Sequence, residues 1–527
     1  MKINGNTLQN YEKLTVLTFD EMKIATTMEY DQLKYEVVGP HSQMQVVMAR
    51  GIASKWKQPI FVGFDIKMTK SLLFDIIHNL NDIGFKVICC VSDCGGGNVG
   101  LWKQLEITFE NPVFVTPSGQ RIVHVPDAPH LLKLTRNWLI DTGFTLNELE
   151  INKKPLEALI SKVTSEVSVC YKLTKEHLTC EEPQRQRVKL ATQIFSHTTA
   201  TALRYYKPIE NIQLLDHTAH FIELMNNWFD LANVAHAQDK STPFKSPYGV
   251  FLKEQDTLLD EVYNTINAMR CKGKSSLQIF QKGILMYING TKYLLKILRE
   301  HGLQYLLTSK INQDALENLF SQLRSRGGLN DHPSPLNTLH RLRMIILGKN
   351  PGIVSTNSNT VDNNQEDYMV AKSLELANIN IKYDENVDKG DYGSDTDTAS
   401  EDYDPQNIND HQNENEMAID GIEYLAGWVA KKFKLTFPEI GCTTTELNKK
   451  KSLPDHDYIM PSWINHLSYG GLITPSNDFR NIIIRVERLF NKFTKHEVPK
   501  GPNVVSKLTN KIFSRMMVDE KFKRVIK

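Results

Sequence analysis

Two acidic residues stand where apolar, strand-like runs end: Asp20 in Thr18-Phe19-Asp20-Glu21-Met22 and Asp93 in Val91-Ser92-Asp93-Cys94-Gly95. If their strands are neighbours in one sheet, both side chains leave it at the same edge. Carboxylates brought within a few ångströms of each other repel, and one pKa rises unless a cation lies between them. Hard oxygen donors select Mg²⁺ or Mn²⁺. Two such ions about 4 Å apart activate a water or a 3′-hydroxyl and stabilise the leaving oxygen of an in-line phosphoryl displacement. A third carboxylate normally completes such a site. Glu317 could supply it, in Gln313-Asp314-Ala315-Leu316-Glu317-Asn318-Leu319-Phe320. Spacing alone does not separate this triad from acids that merely form turns. Asp65 and Asp127 also follow apolar stretches and compete for the role. Asp127, in Pro126-Asp127-Ala128-Pro129-His130, reads most simply as a helix N-cap.

The elements that must position these residues alternate between strand and helix. Leu14 to Phe19 is a short apolar, β-branched run; Ala25–Tyr30, Tyr35–Gly39 and Pro59–Phe64 read as further strands. Ser71 to Gly84 carries Leu72, Leu73, Ile76, Ile77, Leu80 and Ile83 at helical spacing, with Gly84 at the expected C-cap. Lys86 to Ser92 is a buried strand. This order implies an α/β sheet with helices packed on its faces. Residues 146–305 show mainly 3.6-residue periodicity and read as an inserted helical domain. Asn312–Arg324 is an amphipathic helix able to return to the sheet, so the first domain spans 1–145 and resumes over 306–350. By composition, 351–417 is a disordered acidic linker and 418–527 a helical C-terminal domain.

The net charge of the 527 residues is +1, but it is an average over unlike parts. Tyr383–Met417 holds twelve Asp/Glu and one Lys, which leaves the rest of the chain at about +12. A basic body suits a polyanionic partner. The acidic tract reads as a soluble tether, and more sharply as a DNA mimic whose deletion raises DNA affinity at low salt. No run of 18 uncharged apolar residues exists, so no membrane partner is expected. Seven cysteines without paired spacing exclude a disulfide framework and a structural zinc site, and fit an intracellular chain.

Gly95-Gly96-Gly97-Asn98-Val99-Gly100 fits GxGxxG, but no acidic residue ends a second parallel strand about twenty residues later. It reads instead as a flexible loop that lets a nucleic-acid backbone or metal approach Asp93. Met269 to Ser275 has the GKS end of a phosphate loop, with Ala268 where its leading glycine should stand. Lys172, Lys175 and Lys189 belong to two basic clusters that could hold a triphosphate or form a solvated face. Pro129–Trp138 combines apolar positions at core spacing with Lys133 and Arg136, which could face phosphates. Arg324 and Arg326 could meet a DNA backbone near Glu317.

Three strings carry a specific resemblance: KVICCVSDCGGGNVGLW from Lys86, PDAPHLLKLTRNW from Pro126 and QDALENLFSQLRSRGG from Gln313. Together they resemble P-element-type DNA transposases, including the THAP-domain transposase relatives. The similarity runs from about Thr15 to His340, and more weakly over Gly421–Pro475. It implies an RNase H-like mixed sheet interrupted by a mostly helical GTP-binding insertion. It also implies an Asp–Asp–Glu triad, matched by Asp20, Asp93 and Glu317, with Mg²⁺ or Mn²⁺ as cofactor, DNA as substrate and the nucleus as location. Asn226-Asn227-Trp228-Phe229-Asp230 resembles the guanine-reading stretch, where Asp230 would accept from guanine N1 and N2. Asp314 resembles a second GTP contact. The expected zinc-binding THAP module and zipper have no counterpart before Asp20. That departure keeps open a domesticated, non-catalytic nuclear protein, and a homo-oligomer stays open too.

Overall fold

The computed structural model describes residues 1, 5–32, 34–163, 168–237, 242–326, 332–347, 416–437, 440–443, 462–467, 473–494 and 503–516. The acidic linker expected over 351–417 lies almost wholly outside them.

Six strands form the main sheet: β1 (Leu14–Lys23), β2 (Gln43–Gly51), β3 (Lys57–Phe64), β4 (Lys86–Ser92), β5 (Val113–Val115) and β6 (Arg121–Pro126). Their order is β3-β2-β1-β4-β6-β5. β1 pairs antiparallel with β2 and parallel with β4, and β4 pairs parallel with β6. The parallel β1–β4 pair is what the sequence needed for Asp20 and Asp93 to share an edge. The partner of β1 on its other side was not legible. Ala25–Tyr30 and Tyr35–Gly39 contribute only a small separate ribbon, Glu29–Asp31 with Glu36–Val38. The true neighbour is Gln43–Gly51, where Gln45 interrupts the apolar run without breaking the strand.

Alternation divides the sheet's apolar residues between its faces. Leu17, Phe19, Val47, Val87 and Cys90 pack with Leu73, Ile77 and Leu80 of α1 (Lys70–Asp82). Thr69 caps α1 by accepting from Leu72 N, and Gly84 follows its end at φ +86°, as expected of a helix stop. α2 (Gly96–Gln104) comes next, then α3 (Ala128–Asp141). The glycine run therefore opens a helix rather than a flexible loop.

The insertion carries α4 (His197–Tyr206), α5 (Ile212–Ala232), α6 (Leu252–Ala268) and α7 (Ile279–Glu300). One apolar cluster runs from Val16, Ile88 and Val125 in the sheet through Leu131 and Ile284 to Trp228 and Phe221. α7 lies on the sheet itself: a Cβ at Gly290 would meet Val123, His124 and Val125 at 3.1–3.3 Å, so glycine permits the approach. α8 (Asp314–Ser325) covers the far end of β1 and β2, with Leu316, Leu319 and Phe320 against Met22, Met44 and Val46. Arg341 of α9 (Pro335–Leu347) caps α8 by donating to the Leu323 and Arg324 carbonyls.

The C-terminal region contains α10 (Glu416–Phe433), α11 (Asn477–Thr494) and α12 (Val504–Met516). α10 is tied to the insertion by Val169 N donating to Met417 O and the Tyr206 hydroxyl to Asp420. Six cysteines among the described residues are free. No helix among the described residues is long and apolar enough to cross a membrane.

Candidate functional site

Asp20 lies on β1 opposite Val46, and Asp93 follows the last residue of β4. Glu317 sits in the first turn of α8, which packs over the same end of the sheet. Asp20 is half-buried and its carboxyl is pushed up to about 7. Burial is the main cause, a hydrogen bond from Glu21 N opposes it, and the charges of Asp93 and Glu317 add to the rise. The three sequence candidates are therefore electrostatically one site.

Asp93 is held by its own loop. Its Oδ1 accepts from Gly95 N at 2.9 Å and from Asn98 Nδ2 at 2.6 Å. Beyond it, Cβ atoms at Gly96, Gly97 and Gly100 would meet nothing, so this side of Asp93 faces open space. Among the described residues, no three His, Cys, Asp or Glu side chains already stand as a closed metal cluster. The donor set nonetheless has the right chemistry: oxygen ligands only, and negative charge that raises Asp20 instead of being compensated.

That charge has a pH signature. Asp20 ionises near 3.8 when unperturbed and near 7 when folded, so the folded state holds the proton more tightly. Its contribution to metal-free stability is complete below pH 3.8 and is lost as pH rises through 7. A divalent ion held by Asp20 would replace the proton. Mn²⁺ should raise the melting temperature more at pH 8 than at pH 6, and an equal rise at both would contradict this account.

The competing acids are structural. Asp65 accepts from His41, Ser42 and Gln43 and is pushed down to about 2. Asp127 is the N-cap of α3, accepting from His130 N at 2.9 Å. It does something the sequence did not show: its other oxygen accepts from Gln313 N at 2.8 Å. Burial, followed by the charge of Glu317, pushes Asp127 up to about 8. Pro126-Asp127 ending a buried strand was the only sequence signal.

On the insertion side, Asn226 Nδ2 donates to Asp230 Oδ2 at 3.3 Å, which brings two of the expected guanine contacts together. Asp314 is joined to them indirectly. Asn312 Nδ2 donates to Asp314 at 2.7 Å and to Asn233 Oδ1 at 3.2 Å, just past the end of α5. Asn233 and Asn312 were missed, because single Asn residues in loops carry no pattern. Lys172, Lys175 and Lys189 are exposed, with Lys172 5.7 Å above the Tyr171 ring.

The expected DNA contacts divide. Arg324 lies seven residues beyond Glu317, hence two turns along the same face of α8, and Arg326 is exposed at its end. Lys133 and Arg136 are corrected: both are buried. Arg136 donates to Cys180 Sγ at 3.0 Å and to Arg185 O at 2.8 Å. The face of α3 read as phosphate-facing is covered by the insertion, which sequence periodicity of one helix does not reveal.

Comparison with known proteins gives the same outline. Residues 1–106 match the family model described as TNP-like, RNase H N-terminal domain, and 309–336 its RNase H C-terminal counterpart. Residues 129–247 match the TNP-like, GTP-binding insertion domain, and 349–449 the model described as 87kDa Transposase. The structure resembles a chain of the Drosophila P element transposase strand transfer complex with a TM-score of 0.63 and 36% identity, over 67% of this chain and 81% of that one. The chain belongs to the P-element-type transposase family. It is 33% identical to the Transposable element P transposase of Drosophila melanogaster over 94% of its own length and 63% of the fly protein's. It is 28% identical to human DNA transposase THAP9 over 54% of its own length and 33% of that protein's. The chain thus spans less than two thirds of either relative. Its P-element-type fold is the expected one: an RNase H-like mixed sheet interrupted by a helical insertion of the GTP-binding type.

Proposed function

We propose that this chain is the core of a DNA transposase that cuts and joins DNA with Mg²⁺ or Mn²⁺ held by Asp20, Asp93 and Glu317. The observation that carries this reading is the gathering of three carboxylates from three chain segments at one sheet edge, where burial lifts Asp20 to about 7 and the charges of Asp93 and Glu317 add to the rise. A bound divalent ion supplies activation of a water or 3′-hydroxyl and charge neutralisation at the leaving oxygen. The chain's own residues hold the reacting edge: Asn98 and Gly95 N orient Asp93, Glu21 N orients Asp20, and α8 presents Glu317. Full engagement of a cation asks Asp93 to share the oxygen its loop now holds. Arg324 and Arg326, at the C-terminal end of the helix that carries Glu317, would meet the phosphates of a DNA backbone passing Glu317.

The division into 1–145, 146–305, 306–350, 351–417 and 418–527 is our domain reading, with action in the nucleus. The insertion would hold GTP as a positioning cofactor, with Asp230 and Asn226 reading guanine, Asp314 beside them, and Lys172, Lys175 and Lys189 toward the phosphates. Purified protein should bind GTP more tightly than ATP, and Asp230→Asn should reduce that preference about tenfold or more, the value of one charged hydrogen bond. Equal binding of both nucleotides by the wild type would overturn the guanine reading.

A second reading, a non-catalytic nuclear DNA- or protein-binding derivative, draws on the hydrogen bonds that already occupy Asp93. The deciding experiment is Mg²⁺-dependent joining of a pre-cut DNA end, taken from sequence flanking the chain's own gene. Absence of joining by the wild type favours the derivative.

A further inference from the structure

Gln313 and Asp127 are both 2% exposed and lie directly behind the carboxylate edge. Neither has a place in the proposed chemistry, yet their hydrogen bonds reach all three acid-bearing segments. Asp127 N donates to Ser92 O at 3.0 Å, one residue before Asp93. Gln313 Nε2 donates to Phe19 O at 2.9 Å, one residue before Asp20. Glu317 N donates to Gln313 O at 3.0 Å, in the first turn of α8. Gln313 N donates to Asp127 Oδ1 and closes the link. The second Asp127 oxygen, fixed by His130 N, ties the link to the start of α3.

We propose that Asp127 and Gln313 are positioning residues, a buried clasp that sets Asp20, Asp93 and Glu317 in mutual register for metal binding. The proposal rests on the triad reading above and deepens it. The reason for a clasp is topological. Asp20 and Asp93 share one sheet, so β1–β4 pairing sets their spacing. Glu317 comes from a helix that returns after the whole insertion, and apolar packing of Leu316, Leu319 and Phe320 tolerates a slide along or rotation about the helix axis. Directional hydrogen bonds do not. Gln313 stands on the turn that carries Glu317, so its two bonds fix both the height and the rotation of that turn. Its neighbour Asn312 reaches the other way, donating to Asn233 of the insertion and to Asp314.

The test is Mn²⁺ binding to the purified full chain, followed by electron paramagnetic resonance, with thermal melting recorded alongside. Gln313→Met keeps the length and volume of the side chain but cannot donate to Phe19 O. Asp127→Asn keeps the shape but can accept from only one of the two backbone N–H groups. Loss of a group that orients metal ligands typically weakens metal binding about 10–100-fold. Both variants should weaken Mn²⁺ binding within that range while remaining folded at the assay temperature. A purely structural role would lower the melting temperature and leave Mn²⁺ affinity of the folded protein unchanged, which would overturn the proposal. If one variant does not fold, the other carries the same readout. Glu317→Gln separates the two levels: if it binds Mn²⁺ as the wild type does, the triad reading fails and takes the clasp with it. If Glu317→Gln loses binding while both clasp variants keep it, only the clasp fails.

Discussion

Glu317→Gln is expected to reduce Mg²⁺-dependent joining of a pre-cut DNA end by more than about 100-fold, since loss of a direct ligand exceeds the upper end of what an orienting partner costs. Glu317 is exposed in the first turn of α8, so the isosteric amide removes a charge without leaving a cavity. Stability should hold or rise, because the substitution removes repulsion from Asp20. The same substitution has a second, independent signature. The Glu317 charge helps to raise the Asp20 carboxyl, so Asp20 should titrate below 7 in the variant. Asp93→Asn should behave alike in the joining assay. Joining retained within threefold in Glu317→Gln would remove this residue from the reaction, whatever the fold resembles.

The second large effect is on stability. Arg136→Ala should destabilise the protein by about 3 kcal/mol, combining an unsatisfied buried carbonyl with the cavity left by a long side chain. Arg136 is fully buried. Its guanidinium bonds Arg185 O and Cys180 Sγ, and so pins the start of the insertion onto α3. The melting temperature should fall by several degrees, while DNA affinity of the folded variant at low salt stays at the wild-type level. Arg324→Ala should do the reverse, melting normally and binding DNA more weakly. If Arg136→Ala melted as the wild type does but lost DNA affinity, its side chain would have to reach solvent in solution.

Particular residues show where sequence reasoning had a physical basis. Asp20 and Asp93 were legible because each ends a run whose apolar, β-branched composition marks a buried strand. After two more strands, the helix Lys70–Asp82 returns the chain so that Lys86–Ser92 runs parallel beside the first strand. Glu317 was legible because its helix is strongly amphipathic. The strand Gln43–Gly51 was not, since it is buried on both faces without alternation and Gln45 and Arg50 break up its apolar run. Lys133 and Arg136 misled for the opposite reason. One helix's pattern shows which side is apolar, but not whether a second body covers the polar side as well. Gly95–Gly100 misled in a third way, because glycine's poor helix propensity was overridden by the anchoring of Trp102 and Leu101 in the core.

By itself, then, the sequence showed most of the element types and the family, and it pointed to the three carboxylates and the guanine-side residues Asn226, Asp230 and Asp314 that we propose as sites. The elements are local properties of residue type, spacing and period, whereas the family and the site residues rest on the resemblance of whole strings. Only the tertiary structure decided that one apolar core runs from the sheet through α7 into the insertion, that Arg136 lies inside it, and that Asp127 and Gln313 meet 186 residues apart in the chain. A hydrogen bond from a buried backbone N–H to a buried carboxylate depends on the relative placement of a strand end and a distant helix. That placement is set by packing summed over many contacts, so no single stretch of sequence displays it.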